Sequence, residues 1–177
     1  AKARAELLSA VNRTSTAVRT GESADLERLQ GRACDLLTSA ATRRAFRIDE
    51  EPARVRDAYG RNIYGQSLLL SRRLVEAGTR LACVSWAPDA NATWDTHGGN
   101  FTKLKNELLP QFDLGFSQLL TDLSDRGLLE RTLVVAMGEI GRTPKINGGA
   151  GRDHWEFCYT VVYAGGGTKG GFVYGSS

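Results

Sequence analysis

The stretch FTKLKNELLPQFDLGFSQLLTDLSDRGLLERTLVVAM, residues 101–137, decides the fold class. Phe101, Leu104, Leu108, Phe112, Phe116, Leu119, Leu120 and Leu123 recur at threes and fours, the spacing of an amphipathic helix with one apolar face. Asn100 suits the N-cap and Gly127 the C-cap, while Pro110 predicts a kink or the start of a second helix. TLVVAM (132–137) is nearly free of polar residues, as a strand covered on both faces would be.

Outward from this stretch the pattern extends both ways. FCYTVVYA (157–164) reads as another buried strand, and TRLACVSW (79–86) as a strand with Leu81, Cys83 and Ser85 on one face. Further upstream, residues 1–20, 23–42 and 63–77 carry helical periodicity, the last stopped by Gly78, with connections at Glu51-Pro52 and Tyr59-Gly60. Strand, helix, strand, loop and strand in that order predict an α/β fold, a mainly parallel sheet flanked by helices.

Composition bounds the function classes. The chain has 177 residues, 41% hydrophobic and 24% charged, as in an ordinary globular protein. No apolar run approaches the roughly 20 residues of a transmembrane helix. Residues 1–80 hold 15 Lys and Arg against 10 Asp and Glu (+5), and residues 81–177 hold 8 against 10 (−2). The basic half lacks dense cationic runs with interleaved aromatics, so a solvated helical surface is expected and no nucleic-acid partner. Cys34, Cys83 and Cys158 show no CxxC spacing; the latter two, inside strand-like runs, read as buried inert thiols. The opening AKARAELL has no cap before it, and GGGTKGGFVYGSS stops in a glycine-rich turn, so both ends read as cut and the chain as a fragment.

The only two histidines sit in polar clusters, Asp95 and His97 in WDTHGGN and Asp153 and His154 in GRDHW, and Glu139 follows the apolar run 132–137. Open α/β sheets gather ligands at the carboxyl ends of strands, where carboxylate and imidazole groups from separate loops can converge on a divalent cation. Other readings stand beside this one. Asp95 also suits a turn cap, His97 a surface loop, Glu139 a salt bridge to Arg142, and Asp153 an orienting role behind His154. In GEIGRTPKING, Arg142 offers a planar fork for phosphate or sulfate and Lys145 a point charge. GGAG (148–151) before Arg152 suits either an anion nest or a flexible loop, and Trp94 and Trp155 either wall a pocket or pack.

These residues carry a resemblance. YGQSLLLSRRLVEAG, WDTHGGNF, TLVVAMGEIGRTPKING, GRDHW and GGGTKGGFVYG resemble, in unbroken order over residues 58–177, the later part of an uncharacterised, usually exported bacterial family of the alkaline phosphatase and sulfatase superfamily. By their periodicity residues 1–57 read as a mostly helical segment, and the resemblance implies part of an alkaline phosphatase-like α/β core over 58–177. It implies a metal-dependent hydrolase of phosphate or sulfate esters, exported or periplasmic, using one or two divalent cations with zinc the first choice. The ligands it points to are His97, Glu139 and His154 with Asp95; Asp153 would stand behind them, and Arg142, Lys145 and Arg152 would face the oxyanion. Three departures accompany it. Ile140 stands where the superfamily has a strand-end histidine, Asp95 precedes His97 by two positions where the pattern puts an Asp at Thr93, and no nucleophile is matched, so the chain alone is expected to be inactive. Ile140 supports a rival, a non-catalytic exported binding or scaffold protein. A further alternative is a metal-free acid/base enzyme using Asp95 with His97 or Asp153 with His154.

Overall fold

Helices dominate the first half of the computed structural model, which describes residues 21–86 and 94–176 together with 3, 6, 7, 10 and 11. Helix α1 (Gly21–Thr38) is followed by α2 (Ala40–Ala45), which Ser39 caps by accepting the amide of Thr42 at 2.9 Å. After α3 (Ala53–Ala58) comes α4 (Ile63–Glu76), where Asn62 Oδ1 accepts from the amides of Tyr64 and Gly65. α4 stops at Gly78, whose φ of 98° lets Gly78 and Thr79 return their amides to Val75 and Leu74. Of the helix expected over 1–20, the five described residues are helical, and the rest lie outside the described residues.

The decisive stretch folds as one long helical rod with a defect. Helix α5 (Asn100–Lys103) passes through a π-turn (Leu104–Leu108) into α6 (Leu109–Asp125), with Pro110 just inside the start of α6. Proline has no N–H and its ring crowds the carbonyl of the preceding turn, so the wider π-turn accommodates it without ending the rod. Gly127 closes α6 at φ 65°, with Gly127 and Leu128 donating back to Ser124 and Leu123. The N-cap differs from expectation. Gly99 holds that position, while Asn100 is the first helical residue and its buried carboxamide accepts the hydroxyl of Thr96.

The core lies where α4 and α6 cross. Leu68 and Leu69 meet Leu119, Leu123 and Leu128, with Tyr59 wholly buried beside them. The helices approach closely at Gly65 and Gly115. A Cβ on Gly65 would stand 1.9 Å from the carbonyl oxygen of Tyr59, and one on Gly115 3.0 Å from Leu68 Cδ1. Arg72, 2% exposed, crosses the same interface. Its Nη1 donates to Glu76 at 2.8 Å, and its Nε and Nη2 lie 2.8 Å from Asp122 and 3.0 Å from Glu51, off the hydrogen-bonding axes.

Four short strands follow. β1 (Val134–Met137) pairs with β4 (Val161–Ala164), and β2 (Gly141–Arg142) with β3 (His154–Trp155), both antiparallel. No parallel pair occurs among the described residues. The chain between β1 and β4 folds back on itself without a helical crossover, and strands joined that way run antiparallel. Other expectations shift with this. β1 is covered on one face only, since Val135 and Met137 are exposed, and Phe157 and Tyr159 lie outside the β4 ladder and are exposed. Residues 81–86 belong to no ladder. They alternate nonetheless, with Val84 and Trp86 against the core and Leu81, Cys83 and Ser85 outward, so Cys83 is exposed rather than buried because nothing described covers that side. No described helix is long and apolar enough to cross a membrane.

Candidate metal centre

Two loops build the site, and backbone pairing locks one onto the other. Arg152 donates its amide to the carbonyl of Thr96 at 3.1 Å, and Gly99 and Asn100 donate theirs to Gly149 and Ala150 at 2.9 Å. Gly151 must lack a side chain, because a Cβ there would stand 1.9 Å from the carbonyl oxygen of His97. The WDTH loop is also tied to the helical body. Trp94 meets Phe112 of α6 edge-on at 5.9 Å and Trp86 at 6.3 Å, and Trp86 stacks on Tyr64 at 4.3 Å.

Asn147 organises the second loop. Its Oδ1 accepts the amides of Gly149 and Gly151, and its Nδ2 donates to the carbonyl of His97 at 3.0 Å and to Asp153 Oδ1 at 2.9 Å. Two amides of the GGAG turn are therefore satisfied from within, which disfavours the anion nest. Ala150 takes a left-handed φ of 55° there. The sequence reading missed Asn147, although Asn-Gly at 147–148 is a turn signal.

Beyond this scaffold the side chains converge. Residues Arg142 and His154 face each other across the β2–β3 ladder, which carries them to the WDTH loop. Asp95 Oδ1 lies 2.7 Å from His97 Nδ1, 3.2 Å from His154 Nε2 and 2.5 Å from Arg142 Nη2. The two imidazoles meet edge-on with centroids 4.7 Å apart. The Arg142 hydrogen bond, helped by His154 and opposed by slight desolvation, holds the Asp95 carboxyl below the ordinary carboxylate range.

The donor chemistry fits a divalent cation. One candidate ligand atom each from Asp95, His97 and His154 falls within 4.8 Å of the others, and all three residues are exposed. Donors about 2.0–2.2 Å from a tetrahedral cation stand about 3.4 Å from one another, so closure needs only side-chain adjustment. An oxygen with two imidazole nitrogens suits zinc or a similar ion, and the open side leaves room for water or substrate.

The remaining expected residues fall into place around this group. Glu139 is exposed in the turn after β1 and is not one of the three, because Gly138 to Ile140 turn the chain into β2 and deliver Arg142 instead. Arg142 pairs with Asp95, not with Glu139. Arg152 is half-buried, with Nε donating to the carbonyl of Thr143 at 2.5 Å and Nη2 to that of Arg142 at 3.3 Å, which fits a strut better than an anion contact. Asp153 acts on the loop through Asn147. Lys145 is exposed, and its carbonyl accepts the Thr143 hydroxyl at 2.8 Å. Thr93, where the superfamily pattern puts an Asp, lies outside the described residues. Trp155 packs against Phe157 at 5.7 Å.

Among known proteins, one family model, described as "Protein of unknown function (DUF1501)", matches residues 1–177. No curated protein and no solved structure matches the chain.

Proposed function

The chain belongs to the DUF1501 family, and on that premise we propose that Asp95, His97 and His154 hold a divalent cation, zinc first, in a hydrolase of phosphate or sulfate esters. The observation that carries this reading is the convergence of three ligand-capable groups, from segments 59 positions apart, on one exposed spot within 4.8 Å. Loops joined by backbone pairing and by Asn147 hold that convergence, which a chance meeting of mobile side chains would not need.

A bound cation would supply Lewis-acid polarisation of an ester oxygen and a more acidic bound water. The chain's own residues do the rest. Asp95 orients both imidazoles, Asn147 and Asp153 keep the loops in register, and Arg142, paired with Asp95, brings positive charge to the group for the non-bridging oxygens of an ester. The nucleophile has no counterpart in this chain. A second reading, an exported binding or scaffold protein that retains the fold, is favoured by Ile140, which offers no donor where the superfamily resemblance places a histidine.

Metal content, measured after loading with zinc, manganese, magnesium and calcium in turn, tests this. The wild-type chain should hold one of them, and His154→Ala should lose it. The metal-free melting temperature should change little, because the His154 side chain is 51% exposed and leaves no core cavity. Wild-type protein that holds none of the four favours the scaffold. Metal held equally by the variant rejects His154 as a ligand.

A further inference from the structure

Arg142 occupies the ground a metal would take. Its Nη2 donates to Asp95 Oδ1 at 2.5 Å and its Nη1 lies 3.4 Å from His97 Nδ1, so one guanidinium touches two of the three ligand-capable residues. The oxygen it holds is the one that both imidazoles approach. Arginine stays charged at all working pH, and two full positive charges a few ångströms apart repel. A cation on Asp95 and His97 would therefore loosen the guanidinium.

The displaced fork has a use. Its remaining contacts are long hydrogen bonds to neutral carbonyls, of Arg152 at 3.2 Å and of Trp94 at 3.5 Å, and they keep the side chain beside the exposed group. A planar fork with N–H groups directed past a metal is suited to two oxygens of a tetrahedral oxyanion. We propose that Arg142 is a built-in substitute cation: it sits on Asp95 when no metal is bound, metal releases it, and the released fork takes the phosphate or sulfate group of the ester. Metal and oxyanion then bind with positive coupling, and by linkage each strengthens the other equally. This inference rests on the metal reading above. The opposing possibility is that Arg142 is a strut that orients Asp95 for metal.

Zinc affinity of the protein, measured by competition with a chromophoric chelator in chloride and in sulfate at equal ionic strength, separates the two. In chloride, Arg142→Ala should bind zinc more tightly than wild type by about fivefold or more, because the competitor is gone. Sulfate should tighten zinc in wild type by a similar factor and do so far less in Arg142→Ala. Arg142→Lys keeps the charge without the fork; it should stay close to wild type in chloride and lose most of the sulfate effect, and it serves if the alanine variant fails to fold. Zinc bound by Arg142→Ala as in wild type or more weakly overturns the substitute-cation role and leaves the metal centre standing, as does a sulfate effect of equal size in both. Zinc bound by neither protein overturns this inference, and the metal reading falls with it when manganese, magnesium and calcium are not held either.

Discussion

Asp122 shows how single residues hold the helical body. Burial pushes its carboxyl upward, but hydrogen bonds from Arg126 at 2.6 Å and from the Tyr59 hydroxyl at 2.9 Å, with Arg72 beside it, outweigh that and hold it below the ordinary range. Glu51 behaves likewise: burial raises it, and Arg72 and Arg73 together lower it further than burial lifts it. Carboxyls depressed in the folded state add stability that is fully present above their unfolded values, about pH 4, and that is lost as pH falls through the folded values. Urea midpoints should therefore be level from about pH 7 to 5 and fall steeply below about pH 4. In Asp122→Asn that fall should be shallower, from a lower plateau. An acid limb unchanged by Asp122→Asn would show that this carboxylate is not the coupled group. Residues of this kind carry the fold, whereas Asp95, His97 and His154, all exposed, carry little of it.

Elements meet here through glycines, and two of them separate stability from site assembly. Gly65 lets α4 pass the carbonyl of Tyr59, and Gly151 lets the second loop lie on His97. Gly65→Ala drives a methyl into the backbone of Tyr59 and should cost about 1–3 kcal/mol by overpacking, while the molecules that remain folded keep their zinc affinity. Gly151→Ala should do the reverse: a small change in melting temperature with zinc affinity reduced at least about tenfold, because the displaced WDTH loop carries His97 away from His154. Thermal melts and zinc titrations on both variants check the contrast. Equal zinc affinity in Gly151→Ala and wild type would mean that the loop contact does not set the site.

For the molecule as a whole, the β1–β4 ribbon stands out as apolar surface. Val135, Met137, Val162 and Tyr163 are all more than 40% exposed, and the outer edge of each strand is unpaired among the described residues. Unpaired edges bearing apolar side chains promote association. The double change Val135→Thr with Tyr163→Lys should lower self-association in sedimentation velocity and reduce binding of a hydrophobic dye, with little loss of melting temperature. Sedimentation identical to wild type would clear the ribbon as the associating surface. β1 packs against the α4–α6 core through Val134, whereas the substituted Val135 and Tyr163 are exposed, so stability and association should vary independently in this variant.

What could be read from the sequence alone was local. Helical periodicity marked α4 and α6, Gly78 and Gly127 marked their ends, and Pro110 marked the irregular turn, because each depends on contacts within a few residues. His97 and His154 were legible as a pair because they are the only histidines and both lie in polar clusters. Tertiary structure decided the rest. Whether an apolar run is covered on one face or two, which strand it pairs with, and whether Glu139 or Arg142 reaches the metal-capable group depend on where a turn sends the chain. The reach of Asn147 was illegible for the same reason: beside three local hydrogen bonds within its own loop, whose Asn-Gly turn signal is in the sequence, it makes one to His97, 50 positions away, and sequence spacing carries no record of a contact made by folding back.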